Sequence, residues 1–173
     1  MSRIEAVAAA ANEYGQRSVE NMEMGRRLGR KIIEGYDKYL RPEGGLVVGV
    51  PPHGEWRHDA GDYRDATFSC YHVPILTVRD IEFGMCVTVL ENLWVRQVVR
   101  LEKQGDRIAV FVDNGEAVWV PTEYSDGDIE GVCERLYQAL LGLYRGDVNV
   151  FLHGDERQMT IGFGGSRVGK VGS

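Results

Sequence analysis

The sequence predicts an α+β fold: a long N-terminal helix, either continuous or broken near Gly15, packed on a mostly antiparallel sheet of about six to eight strands, with a second helix and a closing hairpin. Three observations lead there. Apolar residues recur every three or four positions from Ile4 to Tyr39, which is helical spacing. Short β-branched and aromatic runs separated by turn residues follow, which is the pattern of a meander. A second helical period then begins behind a capping sequence at Ser125.

At 173 residues with 43% apolar content, the chain is long enough for one core and short for two. A single domain over 1–163 with a glycine-rich tail at 164–173 is expected. The net charge of −6 disfavours a protein built mainly to grip nucleic acid or an anionic membrane, since both reward a basic excess. Cys70, Cys86 and Cys133 are odd in number and lie in apolar runs, as buried thiols of a reducing compartment do. There is no apolar leader at the start of this sequence and no run of about 18 apolar residues, so no membrane span and a cytoplasmic location are expected.

The first helix reads over 3–40, with Ile4, Val7, Ala11, Tyr14, Ser18, Met22, Gly25, Leu28, Ile32, Tyr36 and Tyr39 along one side. Unbroken, it would run roughly 57 Å at 1.5 Å per residue, more than the rest of a domain this size spans. Either it breaks at Gly15, with Ser18 as a new N-cap, or part of it packs against another chain. Gly25 and Gly29 would then allow close helix approach; their alternative role is mere tolerance inside a long helix. Arg26, Arg27, Arg30 and Lys31 form the one dense basic cluster. They read first as a solvated helix face, and second as a contact for an acidic partner or a phosphate backbone.

Arg41-Pro42-Glu43-Gly44-Gly45 ends that helix, and Leu46–Val50 is a short strand closed by Pro51-Pro52. Residues 53–65 show no period and form the longest irregular stretch. Further strands are expected over 66–76, 83–90, 93–102, 107–113 and 115–121, with a type I′ turn at Asn114-Gly115. A helix from 126 to about 145, stopped by Gly146, precedes a hairpin of 148–152 and 158–163.

Motifs with chemistry are weak. Gly164 to Lys170 approaches a phosphate-binding loop, but Val171 replaces the hydroxyl residue that would hold magnesium, so no nucleotide and no other cofactor is expected. The loop gathers His53, Glu55, His58, Asp59, Asp62 and Asp65, yet in no spacing known for a metal, and a plain polar loop is the simpler reading. Trp56 and Tyr63 could anchor a partner there. Cys70 and His72, two apart on the expected strand, would share a face at roughly 7 Å, as core residues or as a thiolate and its base.

Two functional classes follow. The first is a non-enzymatic interaction or self-assembling accessory protein, its partner itself or another protein, with contacts at Tyr14, Met22, Gly25, Leu28, Gly29 and Ile32. The second is a small hydrolase or nuclease using His53, His58 and His72 as acid, base or ligand groups, which requires at least two of them to converge in one cleft. The order helix, antiparallel sheet, helix and closing hairpin is loosely similar to that of secretion chaperones, and that resemblance implies a dimeric binding protein.

Overall fold

The computed structural model describes residues 2–154, and the α+β class is as expected. Helix α1 runs Arg3–Leu40, followed by strands β1 (Val47–Val50), β2 (Ile81–Leu90), β3 (Leu93–Gln104), β4 (Arg107–Val112) and β5 (Val118–Pro121), and by helix α2 (Asp126–His153). The strands form one antiparallel meander in sequence order.

Alternation along the strands sorts side chains to two faces. Ile81, Phe83, Met85, Val87, Val99, Leu101, Ile108, Val110, Val112 and Val120 face the helices, and with Leu28, Ile32, Tyr36, Val132 and Leu136 they make the main core. Gln97 also lies inside, its amide donating to the Leu136 carbonyl at 3.1 Å. Tyr36 is fully buried too, and burial pushes its hydroxyl pKa upward. Gly35 of α1 abuts Ile129 and Cys133 of α2, and Tyr39 meets Glu134 and Tyr137. Numbers rise together along both helices, so they lie side by side in the same direction. The start of α1 and the end of α2 therefore project from opposite ends of the molecule.

Several expectations are corrected. The helix α1 does not break at Gly15: the Ser18 hydroxyl donates back to the Tyr14 carbonyl at 2.7 Å instead of capping a new helix, and a glycine inside a helix costs only about 1 kcal/mol. The stretch 66–76 is not a strand. β1 already occupies that edge of β2 through Gly84–Val87, leaving room for one bridge between Phe68 and Phe83 before the chain turns away at Tyr71. Cys70 and His72 consequently share no strand face, and His72 takes a left-handed φ of 55°.

The hairpin between β4 and β5 turns one residue earlier than expected. The positive φ values are those of Asp113 (47°) and Asn114 (62°), with the Gly115 amide closing on the Val112 carbonyl at 2.8 Å. Helix α2 passes through Gly146 and ends where Gly154 adopts φ 64°, so 148–152 is helix, not strand. A ready left-handed cap eight residues on outweighs the small penalty of Gly146. Five strands result, not six to eight; the expected strand 158–163 and the tail 164–173 lie outside the described residues.

Candidate functional site

Two features stand apart from the core: the N-terminal arm of α1, and the sheet face turned away from the helices.

The arm is residues 3–17, about 22 Å of helix at 1.5 Å per residue. Every residue of it is exposed. It starts at a full capping box: the Glu5 amide donates to the Ser2 hydroxyl at 3.3 Å and the Ser2 amide to the Glu5 carboxylate at 2.5 Å. These bonds hold the Glu5 pKa below its ordinary value. Within the domain α1 buries Ser18, Asn21, Gly25, Leu28 and Ile32, a three-four spacing. Tyr14, Ala11, Val7 and Ile4 continue that spacing outward with nothing over them, Ile4 being 72% and Val7 62% exposed. The helix positions expected at a contact therefore divide. Gly25, Leu28, Gly29 and Ile32 are enclosed by this chain's own sheet, the two glycines lying against Ile81 and against Phe68 and Phe83. Met22 is half-buried and Tyr14 lies open.

At the root of the arm the Asn21 amide donates to the carbonyls of Thr77 (3.2 Å) and Arg79 (2.7 Å). It pins a segment that exposes Tyr71, Val73, Ile75 and Val78, with Ile75 at 76%. The strand expected over 66–76 includes Tyr71, Val73 and Ile75, and these lie exposed because β1 fills the neighbouring edge of β2. Val148, Phe151 and Leu152 form a second exposed apolar group at the end of α2.

On the opposite face, residues 51–63 fold over β1 to β3. The Arg96 guanidinium donates to the carbonyls of Pro51 (3.2 Å) and Gly54 (2.8 Å) and lies 5.9 Å from the Trp56 ring centroid. Trp56, Val50 and Cys86 make a small second core, flanked by Val48, Tyr63 and Trp94. Burial lowers the Arg96 pKa and raises that of the Cys86 thiol to about 11. Trp56 and Tyr63, expected as partner anchors, here fasten the loop to its own sheet, and the Tyr63 hydroxyl accepts from the Arg57 amide at 3.0 Å.

Beside this loop is a cleft of about 350 Å³ lined by His53, Glu82, Arg96, Val98, Arg100 and Phe111, with the Asp113-Asn114 turn at its rim. The His53 imidazole contacts the Glu82 carboxylate, and the Arg100 guanidinium lies 4.2 Å over the Phe111 ring while pairing with Glu102. His53 alone of the three candidate histidines reaches it. His58 stacks on Trp94 at 3.4 Å, and Trp94 faces Thr88, six residues or roughly 20 Å along β2 from Glu82. His72 lies against Tyr71. The convergence that acid–base catalysis by paired histidines needs is not formed. Among the described residues no group of three or more His, Cys, Asp or Glu side chains is placed to hold a metal. The sequence pointed to neither Glu82 nor Asp113 as a cleft residue; of the cleft's lining, only His53 is among the site residues expected from the sequence.

The basic cluster is also divided. Arg30 pairs with Asp65 at 2.6 Å and lies over Phe68, Arg26 is half-buried, and Arg27 and Lys31 are exposed.

Asp113 gives a pH-dependent expectation. Burial raises its carboxyl pKa, opposed by hydrogen bonds from the Val98 amide and the Gln97 side chain. The folded chain thus holds this proton at pH values where the unfolded chain has lost it. Stability from this group falls as pH rises from the ordinary carboxylate range through the raised value, and stays lower above it. Asp113→Asn keeps the acceptor and tolerates φ 47°. It is expected to raise the urea midpoint at neutral pH and to leave it unchanged below about pH 3, where both carboxyls are protonated. Equal midpoints at neutral pH would show that the carboxylate is not penalised by its surroundings.

The site and fold together define an α+β domain with a five-stranded meander, one face covered by two parallel helices and a projecting helical arm. No protein-family model, no curated protein and no solved structure matches the chain. Among the described residues no helix is long and apolar enough to cross a membrane.

Proposed function

We propose that this protein is a non-enzymatic, self-assembling accessory or interaction protein, and that residues 3–17 of α1 are its contact arm. The observation behind this is the unburied continuation of the α1 packing stripe through Tyr14, Ala11, Val7 and Ile4 beyond the edge of the domain. An isolated helix of about 15 residues is marginal in water, so a projecting arm of that length with an apolar side gains from being covered. Tyr14 supplies the large amphipathic side chain that interfaces favour.

Light scattering over a range of concentrations tests this on the full chain and on one lacking residues 2–17. A defined oligomer is expected for the former and a monomer for the latter. The urea midpoint of the shortened chain should be nearly that of the full-length monomer, because no side chain in 3–17 is buried. A full chain that stays monomeric throughout would remove self-assembly from this reading.

A further inference from the structure

The arm and the exposed segment at its root are explained together by one occupant. We infer that two copies of this chain lay their 3–17 arms antiparallel across a two-fold axis, the tip of each seating on the Ile75 and Val78 segment at the root of the other. This rests on the self-assembly reading above and specifies its geometry.

The arm has apolar surface along its length and a second apolar surface at its base. The stripe leaves the domain at Ser18, one turn from Asn21, and Asn21 holds the 77–79 backbone in place. A helix lying on the stripe and running back towards the domain arrives, if it is as long as the arm, at this root, where Ile75 and Val78 are exposed. A second copy of the arm meets that condition by identity, and does so at both ends at once, giving the self-complementary contact of a closed dimer. A foreign helix would cover one arm and need a separate reason to match its length.

Charge agrees. The chain is net −6, which opposes association, but residues 3–17 hold two arginines and two glutamates. Arg3 and Glu5 sit at the tip and Glu13 and Arg17 at the base, so each end is neutral and two arms meet without net repulsion. Ala8, Ala11 and Gly15 keep the arm thin, and a Cβ built at Gly15 touches nothing within 4 Å.

Disulfide trapping distinguishes the geometry from the assembly itself. Chains carrying Ile4→Cys and Ile75→Cys, each also Cys70→Ser, are mixed and oxidised after light scattering has shown the unmodified chain to be a dimer. A cross-link between the two different chains is expected, with Ile4→Cys alone failing to link to itself. Ile75→Asp should weaken the dimer about tenfold or more while leaving the helical circular dichroism signal intact. A dimer that links tip to tip, or that is indifferent to Ile75→Asp, overturns the antiparallel seating and leaves self-assembly standing. A monomer at every concentration overturns both.

Discussion

Replacing Phe83 by alanine is expected to destabilise the fold by about 3–5 kcal/mol, a large part of what a domain of this size has to lose. Phe83 is fully buried where three elements meet. From β2 its ring approaches Phe68 at 5.8 Å between centroids, and it fills the space beside Gly29 of α1. A Cβ at Gly29 would come within 3.1 Å of that ring, and Gly29 itself has no side chain that could swing into the space the ring leaves. Urea unfolding followed by circular dichroism measures the loss. Val7→Ala, on the arm, is the control expected to change monomer stability by no more than about 0.5 kcal/mol. A loss below about 1 kcal/mol for Phe83→Ala would mean that α1 does not sit on β2 at this point.

Gly84→Val is expected to cost at least the upper end of the about 1–3 kcal/mol usual for overpacking. A Cβ at Gly84 would lie 2.6 Å from the Val50 carbonyl oxygen and 2.8 Å from that of Pro51, and backbone atoms cannot step aside as a rotamer can. The strain should lift Pro51-Pro52 and with them the loop that buries Trp56 over Cys86. Two readouts follow besides the urea midpoint. Tryptophan fluorescence should shift to the red, and the Cys86 thiol, held at about 11 by burial, should begin to react with a thiol reagent. Unchanged fluorescence and an unreactive Cys86 would contradict the packing of this loop on the sheet.

The position of the small second core also shows why the candidate site was hard to foresee. Residues 53–65 lack any period, and irregular polar segments suggest a mobile or ligand-binding loop. What holds this one is Arg96, donating to the Gly54 carbonyl within it and to the Pro51 carbonyl just before it, 42 and 45 residues earlier in the chain. Nothing in the local sequence of 53–65 records that bond. The histidines were visible as residues but not as neighbours, because the spacing of His53 and His58 along the chain does not say that one reaches Glu82 and the other Trp94.

By itself the sequence determined what depends on near neighbours: the helical period of α1, the capping sequence of α2, the order and antiparallel sense of the meander, and the region of the β4–β5 turn. Each of these is set by residues a few positions apart. The tertiary structure alone decided what depends on competition for space. Residues 66–76 have strand character but lost their edge of β2 to β1. Residues 148–152 have strand character but continue α2 to its cap at Gly154. Leu28 and Tyr14 belong to the same helical stripe, yet one is buried and the other bare, because the domain ends at Ser18. Periodicity marks which side of a helix is apolar; only the packed fold settles how far along that side there is a sheet to cover it.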